Sequence, residues 1–172
     1  MRRVKLFIAT SLDGYIARKD GGIDWLFTDG DYGYADFYAS IDTTLTGRKT
    51  YELILTFGDF PYPGKTNYIF SRAGSWGSAE QVTFVDEDVA AFVERLKKQE
   101  GRDIWLVGGA EIVSALERAG LIDDYIISVH PIILGDGISL FSDAGLNQSI
   151  ELVSTGSFPS GLVQLTYRRI ER

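Results

Sequence analysis

Asp103-Ile104-Trp105-Leu106-Val107-Gly108-Gly109-Ala110-Glu111 is the stretch on which the fold of this 172-residue chain turns. Ile104 to Val107 is a short apolar run that reads as a buried strand. Ile112, Val113, Leu116 and Ala119 then recur at helical spacing until Gly120 ends the pattern. Between strand and helix, two residues without a Cβ let the backbone bend sharply and let a ligand approach the main chain. The first N–H groups of the helix have no intrahelical acceptor, and the helix dipole there favours an anion. The junction reads either as a tight packing turn or as a phosphate cradle.

Working outward, a second strand-glycine-helix unit lies at Thr43 to Thr46 followed by Gly47-Arg48-Lys49-Thr50, with Tyr51, Leu53 and Ile54 on the helix. Val4 to Thr10 is apolar on both faces, as expected of a central strand covered by helices on both sides. Ser11 to Asp24 reads as a long loop, a class often functional in compact domains. Asp31 to Ser40 reads as a helix, Asn67 to Ser71 and Val82 to Val85 as strands, and Arg72 to Gly77 as a turn. Val89, Phe92, Val93 and Leu96 follow the i, i+3, i+4, i+7 rule, with Asp86 or Asp88 as N-cap and Gly101 beyond. Asp124 to Leu134 is β-rich, and Pro131 inside it implies an edge or a bulge. Segments 149–158 and 162–170 read as an antiparallel hairpin around Pro159-Ser160-Gly161. The expected fold is α/β: a three-layer sandwich with a mostly parallel mixed sheet, helices on both faces and a C-terminal antiparallel hairpin.

Composition narrows the function. With 45% hydrophobic residues and no shift in composition, a single domain over 1–172 is expected. A net charge of -7 argues against nucleic acid as a partner, since a phosphate backbone calls for a cationic surface. No apolar run approaches the ~18 residues of a membrane span, and no secretory pattern opens the chain, so a cytoplasmic protein with no membrane partner is expected. The absence of cysteine removes disulfides, thiolate nucleophiles and thiolate metal sites, and a single histidine argues against a zinc centre or a Ser-His-Asp triad. No metal is expected. Arg48, Lys49 and Arg72 stand just after strand ends, where an open α/β sheet binds ligands; they read as solvated loop charges or as phosphate ligands. Trp25, Tyr32, Tyr34, Phe37 and Tyr38 read as the lining of a pocket for a flat heterocycle or as core and dimer surface.

Taken together and in order, five stretches resemble the dihydrofolate reductase superfamily, in particular the branch containing the reductase domain of riboflavin biosynthesis. They are Ile8 to Ala17, Thr46 to Glu52, Ile69 to Arg72, Val107 to Glu111, and Pro131 to Gly137. The resemblance covers nearly the whole chain and implies an NADPH-dependent reductase. Carried over position by position, it implies that Gly47, Arg48, Lys49 and Thr50 hold phosphates. Ser71 and Arg72 lie near the adenosine 2′-phosphate. Val107, Gly108, Gly109, Ala110, Glu111 and Ile112 line the pyrophosphate and nicotinamide ribose, often through a cis peptide at the glycines. Ala9 and Ile16 flank the nicotinamide beneath a mobile lid, Ser11 to Trp25.

Trp25, Phe37 and Ser128 are the candidate substrate residues, and the resemblance implies a folate-type catalytic carboxylate, here Asp31, chosen over Asp29 and Asp36 by spacing back from Gly47. Asp13 matches a family loop acid and also suits a turn beside Gly14. The Pro131 to Gly137 segment looks like the riboflavin branch, which reduces the ribose of an aminopyrimidine ribosyl phosphate. Members of that branch are commonly dimeric, so a homodimer joined through the apolar C-terminal strands is expected. Reduction of dihydrofolate or another pterin is the enzymatic alternative. A nucleotide-binding or regulatory module without turnover is the alternative from a different class.

Overall fold

A computed structural model describes residues 1–72, 80–142 and 147–170. Its elements are β1 (Val4–Thr10), β2 (Tyr15–Ala17), α1 (Tyr34–Ser40), β3 (Ile41–Gly47), α2 (Arg48–Leu55), β4 (Thr66–Phe70), β5 (Thr83–Val85), α3 (Val89–Lys97), β6 (Asp103–Gly108), α4 (Ala110–Arg118), β7 (Asp124–Val129), β8 (Ile138–Ser139), β9 (Ile150–Ser157) and β10 (Val163–Arg169). The main sheet runs in the order β5-β4-β3-β6-β1-β7-β10-β9. Its first six strands are mutually parallel, and β10 and β9 close it as an antiparallel hairpin. β1 is central, between β6 and β7, as its two apolar faces require.

The alternation of side chains across the strands divides the apolar residues into two layers. On one face Val4, Leu6, Leu45, Ile104 and Leu106 pack under Val93 and Leu96 of α3 and Ile112, Val113 and Leu116 of α4. On the other, Trp105, Phe7, Val107 and Ile126 pack under Phe37 of α1 and Ile54 of α2. Leu6, Ile104 and Leu106 are wholly buried, so each contributes ~1.5–3 kcal/mol relative to exposure. Asp88 caps α3 by accepting from the Ala91 N–H at 2.9 Å, which chooses between the two acids the sequence offered.

Three local expectations change. The Ser11 to Asp24 segment is not loop throughout: β2 pairs with β8 in a separate small antiparallel sheet. Pro131 lies beyond the end of β7, so β7 is an interior strand with neither an edge nor a bulge at the proline; the chain turns at His130, whose N–H donates to Thr10 O at 2.8 Å. The first helix begins at Tyr34 rather than Asp31, because Tyr32 and Gly33 take φ of 51° and 80°, outside helical geometry. The turn expected over Arg72 to Gly77 lies, after Arg72, outside the described residues.

Candidate functional site

β3 and β6 are neighbours in the sheet, yet their outgoing helices leave to opposite faces, α2 toward the α1 layer and α4 toward the α3 layer. Such a switch point opens a crevice at the carboxyl ends of the strands. Both helices start there directly from glycine. A Cβ built on Gly109 would stand 3.2 Å from Gly47 Cα and 3.4 Å from Thr50 Oγ1, so the two turns approach this closely because Gly109 lacks a side chain. Gly108 and Gly109 have φ of 144° and 106°, which disfavours any other residue, and the peptide between them is trans, unlike the family expectation. The free N–H groups of two helix N-termini therefore converge on one spot.

Two of the expected cations meet on one carboxylate at the start of α4. Arg72 Nη2 lies 3.2 Å and Lys49 Nζ 3.9 Å from the carboxylate of Glu111, joining the end of β4 to the starts of α2 and α4. Arg48 pairs with Glu52 one turn along α2. Ser71 is buried, and its N–H donates to Val85 O at 2.9 Å. Beyond them a cleft of about 640 Å³, lined by Ser71, Arg72, Val85, Val89, Glu111 and Ile112 among others, runs between the ends of β4 and β5 and helix α4. That volume suits a nucleoside-sized ligand. A second cleft of about 450 Å³ lies at the starting ends of β4 and β5, the end of a parallel sheet where ligands are not bound.

The substrate residues fall on the α1 side. Ala9, Ser128 and Gln164 form one cross-strand row over β1, β7 and β10. The Gln164 amide donates to Ser128 Oγ at 3.1 Å and to Tyr32 O at 3.0 Å, which holds Tyr32 in its left-handed conformation. Phe37 is buried, stacked on Phe7 at 4.3 Å and edge-on to Trp105 at 5.4 Å, so it backs the aromatic wall instead of fronting it. Tyr34 sits between Phe7, Tyr38 and Trp105, and burial pushes its phenol up to about 12. Ile16 packs at the margin of the α4-side core, from β2.

Buried polar atoms normally find partners. Among the described residues, Thr46 Oγ1, beside the glycine junction, and Trp25 Nε1, in the loop after β1, have none. Two free polar atoms and a cradle that a single Cβ would fill fit a polyphosphate ligand with a flat head group.

Asp31 is exposed and accepts from the Ala35 N–H at 3.1 and 3.3 Å, a helix-capping geometry. Asp13 accepts from Ser11 Oγ and from the N–H groups of Leu134 and Gly135; these bonds, the serine's foremost, hold its carboxyl below the usual range. It therefore fastens the loop after β1 to the segment that follows β7.

The sequence pattern of the RibD C-terminal domain matches residues 63–164, more than half of the chain. The chain belongs to the RibD C-terminal domain family. It is 44% identical to the uncharacterized protein YwjB of Bacillus subtilis (strain 168), over 98% of each chain. In structure it superposes on a Shewanella sp. PV-4 protein provisionally assigned to riboflavin biosynthesis, with TM-score 0.88 and 28% identity over 98% of this chain and 99% of that one. It also superposes on the dihydrofolate reductase of Enterococcus faecalis, solved with NADP(H), with TM-score 0.71 and 21% identity over 98% and 97% of the two chains. The fold is dihydrofolate-reductase-like.

Within this RibD C-terminal domain, the structure brings Gly47, Thr50, Gly108, Gly109 and Ile112 into one contact cluster, and Lys49, Arg72 and Glu111 into another. It adds Gln164 and Thr46, which the sequence reading passed over. Gln164 carried a faint signal as an amide between Val163 and Leu165 in an alternating strand. Thr46 opens the Thr46 to Glu52 stretch, but its residue type gave no reason to single it out, since a threonine in a strand is ordinary.

Proposed function

We propose that this protein is a cytoplasmic, NADPH-dependent reductase of a heterocyclic substrate, most like 5-amino-6-(5-phosphoribosylamino)uracil reductase of riboflavin biosynthesis. The observation that carries the proposal is the meeting of two helix N-termini across Gly47 and Gly109, with Lys49 and Arg72 beside it. In this reading the N–H groups of residues 47–50 and 108–110 hold the pyrophosphate, and Arg48, Lys49, Ser71 and Arg72 hold the 2′-phosphate. In the free protein Glu111 pairs with the two nearer cations, and Ile112 and Val107 wall the ribose. Ala9, small enough to admit a ring, and Ile16 flank the nicotinamide. Bound there, the cofactor supplies a hydride to the substrate. Trp25 and Ser128 orient the substrate and exclude water, with Phe37 supporting the aromatic wall from behind.

A saturating addition of NADPH is expected to raise the unfolding temperature, because a ligand that binds only the folded state stabilises it by ~2.7 kcal/mol at a hundred times its Kd. No shift at millimolar NADPH sinks the reading. NADPH consumption is expected with the aminopyrimidine ribosyl phosphate and not with dihydrofolate; the reverse outcome makes the protein a pterin reductase. For proton delivery we propose Asp31. Asn keeps a side-chain oxygen that can accept from the Ala35 N–H, so Asp31→Asn is expected to leave stability nearly unchanged while lowering kcat roughly 10²-fold or more, the contribution of a general acid. An unchanged kcat reduces Asp31 to a cap.

We also propose a homodimer. β9 is an edge strand with Ile150, Leu152 and Val153 exposed, and an unpaired apolar edge is complementary to a second copy of itself. Leu152→Lys is expected to give a monomer in light scattering; a monomeric wild type refutes the interface.

A further inference from the structure

The proposed chemistry leaves the one histidine of the chain unused. His130 is buried, 4% exposed, one residue past the end of β7. Its ring nitrogens face groups of opposite kind. Nε2 lies 3.2 Å from the Phe27 amide N, a donor, so Nε2 must carry a lone pair. Nδ1 lies 3.2 Å from the Ser128 carbonyl oxygen, an acceptor, so Nδ1 must carry the hydrogen. The two contacts select one neutral tautomer. The rings of Trp25, edge-on with centroids 5.2 Å apart, and Phe27, at 4.9 Å, pack against the imidazole.

The near end of the loop after β1 is fixed independently. Leu12 N–H donates to Ile132 O, Asp13 accepts from two backbone N–H groups, β2 pairs with β8, and Lys19 pairs with Asp136. The far end, Trp25 to Phe27, meets β7 through the His130 ring and through the packing against it. We propose that His130 is a positioning residue: its neutral imidazole latches Trp25 and Phe27 onto the end of β7, and protonation of Nε2 opens the latch.

The charge environment supports this direction. What packs on the ring is Trp25, Phe27 and the backbone around Ser128, none of which titrates near neutrality. Of the charges on the loop, Arg18 and Asp24 pair with each other at 2.6 Å and Asp29 accepts from the Tyr32 hydroxyl, while Asp136 on the facing segment pairs with Lys19. Burial pushes the imidazole below its ordinary value, and the Ser128 carbonyl opposes burial only in part. An opened or unfolded chain therefore takes up the proton first. The latch is complete above about pH 6.5, the ordinary imidazole value, and is lost as pH falls through the lower folded value.

The latch stands on its own geometry; its effect on ligands rests on the reductase reading, in which Trp25 faces the substrate. Hydrogen exchange of the Phe27 amide, corrected for intrinsic rates, tests it. Its protection is expected to fall several-fold, with a ceiling of about tenfold, from pH 7.5 to 5.5 in the wild type. It should stay flat in His130→Gln, whose amide oxygen accepts without titrating, and be low throughout in His130→Leu. A flat wild-type profile, or parallel falls in wild type and His130→Gln, overturns the proposal. Should His130→Leu not fold, the nitrogen shifts of the single imidazole decide: an Nδ1–H tautomer with a midpoint below 6.5 is expected, and an Nε2–H tautomer or a higher midpoint overturns the latch. A pH-dependent Phe27 amide in a protein whose stability ignores NADPH removes the reductase reading and keeps the latch.

Discussion

The two ends of the main sheet are built on opposite plans. At the starting ends of the strands nearly every charge is answered, Arg169 Nε being buried there without a partner among the described residues. Arg3 makes a forked pair with Asp124 at 2.7 Å for both bonds, Arg2 binds Asp42 and Thr43, Lys5 pairs with Asp103, and Asp123 accepts from buried Lys97 and from the Val4 N–H, both at 2.7 Å. At the finishing ends stand Gly47, Gly108 and Gly109, two buried polar atoms without partners, and cations 81% and 90% exposed at Lys49 and Arg72. One end is closed by the chain itself and the other is left for something that is not the chain. Stability and binding should then respond to different mutations.

The largest break in that contrast is Asp123→Ala. It strands the Lys97 ammonium, only 8% exposed in its side chain, together with the Val4 N–H. Removing one member of a buried pair costs ~3–5 kcal/mol, and denaturant unfolding is expected to show it while the Kd for NADPH stays within twofold. A large change in that Kd would mean the two ends are coupled. The counterpart is Gly109→Ala. Its φ of 106° and a Cβ 3.2 Å from Gly47 Cα force the turns apart, for ~1–3 kcal/mol of strain. NADPH affinity is expected to fall more than tenfold, by fluorescence titration; unchanged affinity would show that the cradle is not where the phosphates lie.

The contrast was only half visible in the sequence. The finishing ends announced themselves, because strand-glycine-helix is a local pattern and appears twice, at Thr46-Gly47-Arg48 and at Val107-Gly108-Gly109-Ala110. The hairpin and the Asp88-capped helix were legible for the same reason. The closed end was silent, since Arg3 and Asp124 are distant in sequence and meet only through the β1–β7 register. β2 and β8 were missed because strands of three and two residues carry no periodicity and pair across more than a hundred residues. Asp31 illustrates the converse: spacing could single it out among nearby acids, but whether its carboxylate faces a pocket or a backbone N–H depends on how Tyr32 and Gly33 turn.

Within the open end, Arg72 and Glu111 sharpen the comparison at lower cost. Arg72 is 90% exposed, and exposed ion pairs contribute ~0–1 kcal/mol. Arg72→Ala is therefore expected to leave the unfolding temperature nearly unchanged, to weaken NADPH roughly tenfold, the effect of one charge-assisted phosphate contact, and to leave NADH unaffected. Equal losses for both cofactors would remove Arg72 from the 2′-phosphate.

Glu111 gives the smallest effect and the most specific one. Its carboxylate lies 3.2 Å from Arg72 and 3.9 Å from Lys49, so in the free protein it neutralises the cations a phosphate would use. Glu111→Gln releases both while keeping the length of the side chain and the start of α4. NADPH binding should tighten by about two- to threefold at low salt, and the gain should vanish near 1 M salt, where the screening length falls to about 3 Å. NADH, lacking the phosphate, should not respond. If affinity instead falls, Glu111 is not a competitor for those cations but the group that holds them in place, and the open end is more preorganised than its exposed charges suggest.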